Sequence, residues 1–186
     1  MIEPTEIPDV WLYTPKVFAD ARGWFREVYS QRALSPQLGD AVFVQDNHSA
    51  STAAGTVRGL HFQRPPVPQA KLVHVLRGSV YDVAIDLRAG SPTYGRWISE
   101  TLTAEGGEQL FVPRGFAHGL CTLEPDTEVA CKVDGFYSPE CESGFIWNDP
   151  TLAIPWPVTP GAAVLSDKDR KLGFFRDFVS PFRYGE

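Results

Sequence analysis

Apolar and polar residues alternate with a period of two along much of the chain. The run 80–87 shows this best, with Tyr81, Val83, Ile85 and Leu87 on one face and Asp82 and Asp86 on the other. That is the period of a pleated strand. The same reading predicts strands over 11–13, 24–29, 42–47, 57–63, 71–76, 97–102, 109–112, 118–123 and 128–133. Turn formers separate them: Arg77-Gly78, Ala89-Gly90-Ser91-Pro92, Glu105-Gly106-Gly107 and Glu124-Pro125-Asp126. One stretch, 31–38, predicts a short helix. Short strands at regular spacing predict an all-β sandwich or barrel with few helices. After Asp149 the chain is rich in proline and then charged. It is expected to wrap the barrel, with one helical turn near 167–172.

Composition narrows the class. A length of 186 residues suits one domain spanning 1–186, with a tail from about residue 150. At 43% hydrophobic and 22% charged residues, the chain can bury a core and is not expected to be disordered. Glycine and proline, 16 of each, suit a fold with many turns. No apolar run approaches the ~20 residues of a membrane span. The start, Met1-Ile2-Glu3-Pro4, lacks a basic and apolar leader. A cytoplasmic location is therefore expected. Three cysteines, Cys121, Cys131 and Cys141, match neither a zinc pattern nor a disulfide framework. The net charge of −6 argues against a general nucleic-acid binder but leaves a small anionic ligand open.

Two segments specify the barrel further. Gly107, five residues, Pro113-Arg114-Gly115, two residues and His118 resemble the second motif of the cupin superfamily, a jelly-roll barrel. Gly55, five residues and His61, with Lys71, six residues and Gly78, resemble a damaged first motif. Metal-binding cupins hold their ion with His and Glu side chains from these motifs. Here the corresponding places carry His61, Gln63, Lys71 and His118. Gln is a poor transition-metal ligand, and an ammonium repels a cation. The expectation is a barrel that holds substrate, with no metal and no cofactor.

From about residue 7 to residue 169 the chain is similar to the dTDP-4-dehydrorhamnose 3,5-epimerase family. The matching stretches include Val44-Gln45-Asp46-Asn47-His48-Ser49, Val57-Arg58-Gly59-Leu60-His61-Phe62-Gln63, Pro113-Arg114-Gly115-Phe116-Ala117-His118-Gly119, Ile146-Trp147-Asn148-Asp149 and Leu165-Ser166-Asp167-Lys168-Asp169. The resemblance implies an isomerase that inverts C3 and C5 of a nucleotide-linked 4-keto-6-deoxy sugar through an enolate. It implies His61 as base, Asp169 as its carboxylate partner and Lys71 beside the enolate oxygen. Arg22, Arg58 and Lys168 match positions that bind the nucleotide sugar, as do Glu27, Gln45, Asn47, His118 and Glu142. Tyr137 matches a position that stacks on thymine. A homodimer is expected, with N-terminal strands added to a partner's sheet. On a regular strand Arg58 and His61 point to opposite faces, so sharing one ligand requires a bulge at Gly59 or a second contact surface.

One position departs from the family. Its usual proton donor is a tyrosine just before a lysine, and here that pair reads Cys131-Lys132, followed by Phe136-Tyr137. A thiol, with a reference pKa near ~8.5 against ~10 for tyrosine, is able to donate but is much shorter. Three readings follow: a full 3,5-epimerase using Cys131 or a water, an enzyme that inverts one carbon or isomerises a related deoxysugar, and a non-catalytic sugar-nucleotide binder.

Overall fold

Strands dominate the computed structural model, which describes residues 1–185. In chain order they are β1 (Ile2–Pro4), β2 (Trp11–Tyr13), β3 (Val17–Asp20), β4 (Gly23–Arg26), β5 (Gln45–Ser51), β6 (Val57–Gln63), β7 (Lys71–Arg77), β8 (Ser79–Asp86), β9 (Trp97–Thr103), β10 (Gln109–Val112), β11 (Phe116–Thr122), β12 (Thr127–Val133) and β13 (Glu142–Gly144). A single α-helix among the described residues, α1 (Gln31–Leu38), starts where Ser30 Oγ accepts from Ala33 N and ends at Gly39, which has φ 62°. Short 3₁₀ turns cover Pro139–Cys141, Asp169–Lys171 and Phe175–Asp177.

Two antiparallel sheets face each other, a jelly roll. One has the order β1-β2-β10-β7-β12-β5 and the other β13-β6-β11-β8-β9, while β3 and β4 form a separate hairpin. The predicted helix and the strands 11–13, 57–63 and 109–112 match the observed bounds. The strand expected at 42–47 begins three residues later, at Gln45, and the one expected at 24–29 is the shorter β4. β1, β3 and β13 were not predicted. Each has only three or four residues, too few for a period to register.

Three apolar layers order the molecule. Val73, Val75, Val80, Ala84, Leu110, Leu120 and Val129 fill the barrel between the sheets. Leu34 and Leu38 of α1 pack with Leu72 and Phe111 on the outer face of the first sheet. On the outer face of the second sheet, Val83, Ile85 and Leu87 are covered by Phe145, next to β13, and by Leu152, Ile154 and Phe182 from the tail. The apolar face of β8 therefore packs under the tail, and its other face carries Asp82 into the barrel. Burial on both sides explains why β8 is almost wholly inaccessible.

Asp149 pins the tail to the barrel. Its Oδ1 accepts from Thr151 N at 2.8 Å and Leu152 N at 3.1 Å, and its Oδ2 accepts from Phe175 N at 2.7 Å. The residue is 1% exposed. Asp149→Ala leaves three amides without that acceptor, so a loss of about 3 kcal/mol is expected. The denaturant midpoint measures it, and an unchanged midpoint would show that the tail is held elsewhere.

Candidate active site

A bulge in β6 builds the site. His61 pairs with His118 and Arg58 with Leu120, so Gly59 and Leu60 together oppose the one residue Gly119. Gly59 has φ 126°, and a Cβ there would lie 2.6 Å from the Gly119 Cα and 2.8 Å from the His118 carbonyl oxygen. Only glycine fits this conformation and this approach. The extra residue turns Arg58 to the same side as His61. Both line one cavity of about 150 Å³, with Asn47, Ser49, Lys71, Val73, His118, Leu120, Val129 and Cys131.

The two walls carry different chemistry. The β6/β11 wall presents Arg58, His61 and His118; the facing wall, from β5, β7 and β12, presents Asn47, Ser49, Lys71 and Cys131. His61 Nε2 lies 2.5 Å from Asp169 Oδ1. A carboxylate only accepts, so Nε2 carries the proton and Nδ1 is left free to take one. Asp169 is 4% exposed. Burial raises its pKa, but the hydrogen bond and charge of His61, with help from Ser166 and Lys168, hold the carboxyl below the usual range. Ser166 Oγ also accepts from Asp169 N at 3.1 Å, which fixes the turn.

His118 is held in the same manner: its Nε2 is 2.8 Å and 3.0 Å from the two oxygens of Asp82, which is fully buried. Asp82 was not singled out from the sequence. Its signal was a carboxylate on a strand otherwise made to be buried.

Lys71 Nζ donates to the His61 carbonyl at 3.4 Å, a long bond that leaves two N–H groups for a ligand. Burial pushes its pKa below the ordinary lysine value, against the pull of Cys131, Asp82 and Glu142. Burial likewise pushes the Cys131 thiol up to about 11, with Lys71 acting in the opposite direction. The thiol lies 3.7 Å from the Lys132 carbonyl. Gln63 serves structure: its Nε2 donates to the carbonyls of Val67 and Phe136, and its Oε1 accepts from Ser138 N.

The rim is a connected polar chain. Tyr137 Oη donates to Glu142 at 2.8 Å, Lys168 pairs with Glu142, Tyr137 N donates to Gln45 Oε1 at 3.1 Å, and Gln45 Nε2 donates to Asn47 Oδ1 at 2.7 Å. Phe136 and Tyr137 stand exposed beside it. Arg22 and Glu27 do not line the cavity. Arg22 sits at the tip of the β3/β4 hairpin and pairs with Asp20 at 2.6 Å. Ser49, Val73, Leu120 and Val129 are wall residues that sequence reasoning missed, because nothing but register places them inward.

A jelly-roll barrel whose cavity sets a histidine, paired with a buried carboxylate, opposite a lysine has the groups of a proton-transfer isomerase. The family model described as dTDP-4-dehydrorhamnose 3,5-epimerase matches residues 4–177, and the chain belongs to that family, whose barrel is of the cupin type. A curated relative of that name from Shigella flexneri is 49% identical over 89% of this chain and 90% of its own. The crystal structure of a dTDP-4-dehydrorhamnose 3,5-epimerase from Bacillus anthracis, with TDP and PPi bound, is 49% identical and superposes with a TM-score of 0.90, covering 94% of this chain and 98% of that one. The dTDP-6-deoxy-D-glucose-3,5-epimerase of Legionella pneumophila, in complex with dTDP-4-keto-L-rhamnose, gives 39% identity and a TM-score of 0.94 over 100% and 99% of the two chains.

Proposed function

We propose that this protein inverts C3 and C5 of a dTDP-linked 4-keto-6-deoxy hexose, with His61 as base, Asp169 as its partner and Lys71 on the enolate oxygen. The observation that carries this reading is the His61–Asp169 pair, 2.5 Å apart, facing Lys71 across one cavity. The ketone at C4 acidifies both neighbouring C–H bonds. His61 Nδ1 takes the proton, Asp169 stabilises the imidazolium, and the ammonium holds the charge that develops on O4. At about 150 Å³ the cavity falls below the ~300–1,000 Å³ of a whole drug-sized ligand site. The sugar ring enters it, and the rest of the nucleotide lies along the rim with Arg58, Lys168, Gln45, Asn47, Glu142 and Tyr137, while His118 contacts the sugar.

The assembly is a homodimer in this reading. Phe18, Trp24 and Phe25 on the hairpin are more than half exposed, an apolar surface suited to a second copy. Arg22 and Glu27, remote from their own cavity, then serve the partner's site. A cytoplasmic location is part of the same reading, and no helix among the described residues is long and apolar enough to cross a membrane.

Proton NMR of the keto sugar in D₂O with the protein tests the reaction. Deuterium is expected at C3 and C5; a spectrum with neither proton replaced sinks the proposal and favours a binder without turnover. Cys131, at the place of the family's donor, favours a second reading, inversion at one carbon only. Product stereochemistry separates the two.

A further inference from the structure

Epimerisation needs two proton carriers on opposite faces of the sugar. His61 serves one face from the β6/β11 wall. His118 and Arg58 stand on the same wall, so neither is placed to serve the other face. The facing wall offers Asn47, Ser49, Lys71 and Cys131, and of these only lysine and cysteine are acids near neutral pH. Reach separates them. A thiol lies one bond beyond Cβ, whereas the lysine nitrogen lies four bonds beyond it. Cys131 pairs in register with Val73 and Lys71 with Val133, so Lys71 and Cys131 are diagonal neighbours on one face, roughly 7–8 Å apart. An extended lysine spans most of that separation. It can occupy the volume that a longer side chain at position 131 would fill. The Cys131 thiol is turned to the Lys132 carbonyl, while Lys71 keeps two N–H groups free.

We infer that the Lys71 ammonium, and not the Cys131 thiol, delivers the proton to the sugar face opposite His61. This rests on the epimerase reading above. The step balances. His61 Nδ1 takes the proton from C3 or C5, and the C–H electron pair moves into the enolate. Lys71 then gives a proton to the same carbon from the other side, the C4 carbonyl re-forms, and lysine is left as the neutral amine. Solvent removes the proton from His61 and restores one to Lys71. The lowered pKa of Lys71 makes that donation easier than from an ordinary lysine, while the thiol's shift to about 11 makes it a weaker acid.

Lys71→Arg and Cys131→Ala test it, each assayed in D₂O for isotope exchange and for inversion, with dTDP binding as the check on folding. Arginine keeps the charge beside O4 but does not lose a proton. Lys71→Arg is expected to keep deuterium exchange within ~10-fold while inversion falls ~10²–10⁴-fold, so the sugar is labelled with its configuration retained. Cys131→Ala is expected to slow the enzyme several-fold and still invert. Inversion by Lys71→Arg near the unmodified rate would overturn the inference. So would exchange without inversion in Cys131→Ala, which also decides the matter if Lys71→Arg loses both activities. An unmodified protein that exchanges no proton overturns the epimerase reading itself.

Discussion

His61→Ala is expected to stop deuterium entry at both carbons and to lower turnover by about 10³-fold or more, while dTDP still binds. In the proposed reading the His61 imidazole is the base of the cavity. Arg58 is always protonated, and His118, held through Nε2 to Asp82, lies on another strand, β11, and contacts the sugar in the proposed reading. Asp169→Asn separates the base from its support. The amide can donate to the histidine, which favours the tautomer with the proton on the wrong nitrogen. A loss of about 10²–10⁴-fold in kcat with little change in KM is expected, as for a group that acts on the transition state through another. Steady-state kinetics of the two variants check this. An Asp169→Asn enzyme with full activity would show that the 2.5 Å pair has no role in proton transfer.

Gly59→Ala is the second large effect. The new methyl group would meet backbone atoms at 2.6 and 2.8 Å, which no side-chain rotation relieves, at a φ of 126° that alanine rarely adopts. A loss of about 3 kcal/mol or more is expected, with weakened dTDP binding, since straightening the bulge turns Arg58 away from His61. Gly90→Ala is the control: φ is 84° with nothing within 4 Å of the added carbon, so it carries conformational cost alone. Denaturant midpoints of the two variants compare them. Equal losses would show that close approach to Gly119 contributes nothing.

Much of this architecture was legible along the chain. Apolar-rich runs of strand formers, such as 57–63 and 109–112, were found at their observed bounds. β13 was not, since three residues against the edge of β6 carry no period of their own. The site was legible mainly through family resemblance. Asp169 and His61 are 108 residues apart, and Asp167-Lys168-Asp169 reads on its own as solvated charge. Burial of Asp169 against β6 makes it the hydrogen-bond partner of His61.

By itself the sequence determined an all-β sandwich or barrel, and through its motifs' resemblance to known families a jelly roll with a histidine where cupins bind metal, a lysine in place of a carboxylate, and a cysteine where the family carries tyrosine. Period, turn residues and side-chain types are local properties, and they survive in a linear reading. Tertiary structure alone decided which face of β8 turns inward, that His118 is tied to Asp82, and that Arg58 and His61 share a cavity. Those outcomes depend on register across strands and on one extra residue opposite Gly119. The energy that selects them is the packing of two sheets and a tail, which no single segment contains.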